Sequence, residues 1–214
     1  MAGLLGRKLG MSQIFTEDGN VIPVTVVQAG PCLVLEVLPE KGALKVGFED
    51  IKEARMKKPQ LGYFKKTGVS LRRYIREIAF EDISSYEPGN EIRTDLFQPG
   101  DYVDVTGRSK GRGFSGMIKR WGASRFPESH GHPQQRQPGS QGCSATPARV
   151  FRGKKLPGRY GDVRRTIQNL EVIEARPEEN LLLLKGAVPG PRSGLLLIRK
   201  AMKKQRDDSN KSNQ

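Results

Sequence analysis

Apolar positions along the first hundred residues recur with the spacing of strands. Val21 to Ala29 (VIPVTVVQA) is rich in β-branched residues and follows Glu17-Asp18-Gly19-Asn20, an Asp-Gly hairpin turn after Met11 to Phe15. Gly30-Pro31 breaks the chain, and Cys32 to Leu38 resumes with apolar residues on both faces, the pattern of a buried strand. Pro39 to Gly42 predicts a turn and Ala43 to Phe48 the next strand. From Glu49 to Phe80 the pattern loosens. Short helical pieces are expected at Ile51 to Arg55 and Gln60 to Lys66, as an insertion in a β body.

Asp101 to Thr106 alternates cleanly, and Thr166 to Ile173, Leu181 to Leu184 and Leu195 to Ile198 return to strand character after a long interruption. Pro177, Pro189 and Pro191 fall in the connections. Six to seven short strands with Gly/Pro turns predict a mainly β fold: a small closed β-barrel or a sandwich. The interruption is then a long insertion between two strands of that body. Within it, Pro127 to Arg149 contains none of Val, Ile, Leu, Met, Phe, Trp or Tyr. Ordering costs about 1–2 kcal/mol per residue for backbone alone, and such a segment cannot offset this by burying its own side chains. It is expected to order only against something else.

Charge sharpens this division. Gly107 to Arg165 holds four Lys and ten Arg against Glu128 and Asp162, a net +12 of the chain's +14. A cationic arm nearly free of acids calls for a dense polyanion. The dominance of Arg favours planar, bidentate phosphate contacts and base stacking. Nucleic acid suits this better than a membrane, because the longest aliphatic runs are four residues and the first ten residues carry no signal-type apolar segment. Cys32 and Cys143 lie in different compositional zones and indicate no disulfide framework.

Three patterns in the arm invite chemistry. Gly111-Arg112-Gly113-Phe114-Ser115-Gly116 spells G-x-G-x-x-G after a predicted strand. A dinucleotide site would need an acidic residue about 20 positions on, and that zone holds His132, Arg136, Pro and Gln but no acid. The glycines are instead expected to let backbone approach a phosphate closely beside Arg108, Lys110 and Arg112. His130, His132 and Cys143 lack the Cys-x-x-Cys pairing of a structural zinc, and nothing marks a buried Cys–His dyad. Phe114, Trp121, Phe126, Phe151 and Tyr160 interleave with the charge. Phe114, Trp121 and Phe151 can anchor the arm's base to the barrel, and Trp121 and Tyr160 can instead stack on bases.

Several motifs, in order, resemble one family along essentially the whole chain. Gly3-Leu4-Leu5-Gly6-Arg7-Lys8-Leu9-Gly10-Met11-Ser12-Gln13-Ile14-Phe15 resembles the N-terminal motif of the universal large-subunit ribosomal protein three, in its bacterial form. Phe97, Asp104, Gly107, Ser109, Gly111-Arg112-Gly113, Gly116 and Arg120 fit its central pattern. Ser129-His130-Gly131, Pro138-Gly139-Ser140 and Thr146-Pro147 resemble its extension. Gly153 to Gly158 and Gln168-Asn169-Leu170 resemble its return strand, and Gly186 to Ile198 its C-terminal barrel edge. The resemblance implies a translation-protein-type β-barrel near the subunit surface. It also implies an extension threading rRNA toward the peptidyl transferase centre and a part in early assembly through 23S rRNA. Some bacterial members methylate a Gln in the extension. When Gly139 to Thr146 is matched, that position falls on Cys143, so no modification is carried over.

The expected organisation is a barrel body of residues 1–113 and 166–202 with a small helical insertion at about 49–80. An rRNA-threading extension spans 114–165 and a disordered tail 203–214. The expected function is that of a structural, non-enzymatic constituent of the large subunit in the cytoplasm, with a transient RNA-binding assembly factor as the alternative. Its partners are 23S rRNA and neighbouring large-subunit proteins, with no cofactor, metal, membrane or small-molecule substrate. The expected RNA-binding residues are Arg7, Lys8, Arg108, Lys110, Arg112, Lys119, Arg120, Trp121, Arg125, His130, His132, Arg136, Arg149, Arg152, Lys154, Lys155, Arg159, Arg164 and Arg165.

Overall fold

In a computed structural model, which describes residues 3–80 and 82–204, the chain divides into two compact units. One is built from the segments up to Ser109 and from Arg164 onward; the other is Lys110–Val163. From residue 205 on, the tail expected at 203–214 lies outside the described residues.

The first unit begins with β1 (Gly3–Phe15), β2 (Val21–Ala29), β3 (Cys32–Leu38) and β4 (Ala43–Asp50). After a 3-10 turn at Glu53–Arg55 come α1 (Lys58–Thr67), β5 (Arg72–Ala79), β6 (Glu91–Ile92) and β7 (Tyr102–Arg108). The second unit supplies β8 (Phe114–Ser115), α2 (Met117–Trp121) and β9 (Gly158–Arg159). The chain then returns to the first unit through β10 (Arg164–Arg176), β11 (Leu181–Lys185) and β12 (Leu195–Lys200).

Six antiparallel strands close a barrel in the order β1-β12-β7-β10-β11-β2. β1 is long because it serves two partners: Gly3 to Arg7 pairs with β12, and Gly6 to Phe15 pairs with β2. Register shifts between Lys8 and Gly10, Ile167 and Leu170, and Val172 and Glu174 interrupt the ladders. Such irregularities bend and twist strands, which a closed sheet of this size requires. Val103, Val105, Leu182, Leu184, Leu196 and Ile198 are buried in the barrel strands.

A second sheet, in the order β5-β4-β3-β6, takes the remaining strands of this unit. Periodicity marks β3 and β4 as strands but does not say which sheet receives them. β5, which falls in the stretch where the pattern loosens and no strand is expected, is one of that sheet's two edge strands. Cys32, Val34, Leu44, Val46, Ile78 and Phe80 join the barrel residues in one core. Leu33 and Leu35 of β3 join a separate cluster with Phe64 of α1. β3 is therefore covered on both sides, as its two apolar faces require. The expected helix at Gln60 to Lys66 is α1, closed by Gly68, whose N–H donates to the Phe64 carbonyl at 2.9 Å.

Cys32 is fully buried, and its Sγ lies 3.4 Å from the Leu5 N–H and 3.5 Å from the Leu5 carbonyl oxygen. Burial pushes this thiol up to about 12. Cys143 is exposed. Because the thiolate is the nucleophile, iodoacetamide is expected to label the native protein at Cys143 alone, and both cysteines after unfolding. Peptide mass spectrometry reads the sites directly; native labelling at Cys32 would contradict this packing.

Candidate nucleic-acid interface

β7 and β10 carry the chain out of and back into the barrel, paired as far as Arg108 with Arg164. Within the second unit, the Arg112 N–H donates to the Tyr160 carbonyl at 2.8 Å and the Tyr160 N–H to the Gly113 carbonyl at 2.9 Å. β8 and β9 add the pairs Phe114–Arg159 and Ser115–Gly158. Gly161 enables this bridge: its φ is +75°, and a Cβ there would run into the Lys110 carbonyl oxygen. The G-x-G-x-x-G run thus forms one side of a backbone bridge. Its Arg112 amide is already bonded, and the helix that follows, α2, has only five residues.

α2 is fixed by an unusual double donation. Arg120 Nη1 and Trp121 Nε1 lie 2.8 and 2.9 Å from the same Leu156 carbonyl oxygen, and the guanidinium sits 4.9 Å from the Trp121 ring centroid. Trp121 therefore spends its single donor inside the unit, yet it remains 44% exposed and can offer a ring face. Phe114 and Phe151 are exposed at 81% and 61%. Neither is an apolar anchor; Arg149 lies 5.7 Å from the Phe151 ring centroid.

From Gly122 to Pro157 the chain runs through turns and bends without a regular element. It is held by local contacts. Phe126 stacks on His132 with ring centroids 5.0 Å apart and planes 15° from parallel, and the Phe126 N–H donates to the Gln135 carbonyl at 3.1 Å. Lys154 Nζ reaches the Ser140 carbonyl at 3.0 Å. Among the described residues no group of three or more His, Cys, Asp and Glu could hold a metal ion.

The unit holds eleven Lys and Arg against two acids. Both acids are already engaged, Glu128 by Arg125 and Asp162 by Arg159. Lys110, Arg112, Lys119, Arg125, His130, His132, Arg136, Arg149, Arg152, Lys154, Lys155 and Arg159 are exposed, and Arg120 is half-buried. In the first unit Arg108, Arg164 and Arg165 are exposed at the ends of β7 and β10. The N-terminal pair differs. Arg7 is half-buried and 3.3 Å from Glu49, while Lys8 is 8% exposed with Nζ 3.2 Å from the Val188 carbonyl oxygen. As placed, Lys8 ties barrel strand to loop.

One set of cations escaped the sequence reading, which counted the body as a near-neutral whole. Residues 52–66 carry Lys52, Arg55, Lys57, Lys58, Lys65 and Lys66 against Glu53, all exposed. The local run of Lys and Arg was the available signal; acids elsewhere in the body cancelled it in the total.

The ribosomal protein L3 family profile matches residues 49–179, which include α1, β5 and all of the second unit. The chain belongs to the ribosomal protein L3 family. It is 54% identical over 205 residues to the large ribosomal subunit protein uL3 of Carboxydothermus hydrogenoformans, covering 94% of this chain and 98% of that protein. Against the large ribosomal subunit protein uL3 of Geobacillus stearothermophilus it is 53% identical, over 94% of this chain and 96% of the relative. The family is structural and non-enzymatic, so the cationic unit belongs to a ribosomal protein with no reaction to perform.

Proposed function

We propose that this chain is a structural constituent of the large ribosomal subunit in the cytoplasm. It binds 23S rRNA directly through residues 114–165 and the adjoining β7 and β10 ends. One observation carries the reading: an exposed unit with eleven cations whose only two acids are both consumed by internal ion pairs. Such a surface has its counter-charge outside the protein. Arg and Lys supply sequence-independent affinity to phosphate, while the irregular, Gly- and Pro-rich path must match RNA shape. Trp121 offers an aromatic face on which a base can stack, worth roughly 1–3 kcal/mol.

The barrel's part is to hold the two ends of the extension at Arg108 and Arg164. The extension supports early subunit assembly and buttresses rRNA near the peptidyl transferase centre by shape and charge, with no protein group taking part in peptide-bond chemistry. Other large-subunit proteins are its neighbours there.

If about ten cations meet phosphate, the affinity of the whole chain for a 23S rRNA transcript should fall with a log–log salt slope of roughly −7 to −9. Filter binding across a salt series measures it, and a slope near zero would sink the reading. A transient assembly factor would share that slope but be missing from salt-washed mature subunits. Mass spectrometry of that fraction is expected to find the chain in stoichiometric amount.

A further inference from the structure

The outer face of α1 is a lysine triangle around a glycine. Lys58, Lys65 and Lys66 stand four residues before, three after and four after Gly62, the spacings that make side chains neighbours on a helix surface. All four residues are exposed, while Phe64 on the opposite side is buried against Leu33 and Leu35 of β3. The triangle is poorly neutralised. Lys58 has no ion pair among the described residues, and Lys65 lies 4.0 Å from Glu53 with both side chains well exposed. Glu36, whose field reaches Lys66, is already bonded by Lys45 and by the Tyr63 hydroxyl, each at 3.2 Å. Lys57 and Lys58 open the helix with no acid in its first turn, where the helix dipole disfavours cations.

Gly62 is the second and independent observation. Glycine is a poor choice for the middle of an exposed helix. Nothing in this chain requires it: a Cβ at Gly62 would meet no atom within 4 Å, and its φ is not in the left-handed region. A bare backbone surrounded by three cations suits an anion that must come close, and a side chain there would hold it off.

We propose that the α1 face formed by Lys58, Gly62, Lys65 and Lys66 is a second RNA-docking surface, which seats a phosphate backbone against the helix at Gly62. It lies in the first unit and is separate from the extension. It rests on the reading that the chain binds rRNA. Charge complementarity selects the occupant, since the exposed face presents three cations and no acid of its own.

The test uses the full chain and a 23S rRNA transcript, with three variants measured across a salt series. Lys58→Ala/Lys65→Ala/Lys66→Ala is expected to make the log–log slope shallower by about 2–3 and to weaken binding about tenfold at moderate salt. Gly62→Leu should leave that slope nearly unchanged and weaken binding several-fold, with the melting temperature equal or higher because leucine is the better helix former. A variant with Gly116–Arg152 replaced by a linker should retain salt-dependent binding, and adding the triple substitution to it should again make the slope shallower by about 2–3. Should the unmodified chain fail to bind, the ribosomal RNA reading itself falls. If it binds while the triple variant and Gly62→Leu match it, the second surface is overturned. Crosslinking of Lys58 or Lys65 to an acidic protein in intact subunits, with no RNA crosslink, would overturn it in favour of a protein partner.

Discussion

Replacing Gly116–Arg152 with a short linker should leave the barrel folded, with its melting transition within a few degrees of the full chain, and prevent stable incorporation into the large subunit. Among the described residues, neither hydrophobic cluster draws a side chain from 110–163. The core is built from strands on either side of the excised segment, and β7 and β10 remain paired through Arg108 and Arg164. The cut removes α2 and the tip but spares β8, β9 and the backbone bridge at Arg112 and Tyr160. It also removes Lys119, Arg120, Arg125, Arg136, Arg149 and Arg152, six of the unit's eleven cations. Shortening a loop changes closure entropy only slowly, by about 0.6 kcal/mol per doubling of length, so folding has little to lose. Circular dichroism melts measure the first effect, and sedimentation of ribosomal particles from cells expressing the variant measures the second. A cooperative loss of β structure would refute independence of the body, and normal subunits would refute the role given to the extension.

The strands were legible because burial on one or two faces leaves a period in the sequence. β2 and β3 keep their expected bounds, and β7 starts within a residue of its expected start and runs two residues further. β1 was not legible as a whole. Its first half, Gly3 to Gly10, has three glycines opposite neighbouring strands and a buried lysine, so neither alternation nor an apolar run marks it. At Gly6 a Cβ would stand 2.7 Å from the Gln28 carbonyl oxygen, a reason for glycine that only the closed barrel supplies. β5 hid for a different reason. As an edge strand it leaves Arg73, Arg76 and Glu77 exposed, and its charge reads as surface rather than sheet.

The cationic unit was plain from charge, yet its internal order was not. The Leu156 carbonyl that collects both Arg120 and Trp121 lies more than thirty residues from them and is an atom every residue possesses. No side-chain pattern announces it. The same holds for the α1 face: its lysines were visible in the sequence, but their meeting around Gly62 requires knowing which side of the helix Phe64 buries.

Phe97→Ala should destabilise the body by about 3–5 kcal/mol, a large share of the roughly 5–15 kcal/mol by which a domain is stable. Phe97 is 2% exposed and lies in the core shared by the barrel and the second sheet. It follows a 3-10 turn at Thr94–Leu96, between β6 of one sheet and β7 of the other. Its N–H donates to the Thr94 carbonyl at 3.0 Å, and the Thr94 hydroxyl donates to the Ala29 carbonyl at the end of β2, also at 3.0 Å. The backbone leading into the ring is thus tied to the turn and to β2, so the site cannot readily collapse onto the space an alanine leaves. For a chain of this size the melting temperature should fall by about 6–20 °C. Phe114→Ala, at an 81% exposed ring in the cationic unit, is the matched control and should shift it by little. Thermal melts of the two variants decide the matter. Equal stability would mean that the joint between the sheets is not packed as described, whereas a loss confined to Phe97→Ala would show that the body's stability resides at this joint and not in the cationic unit.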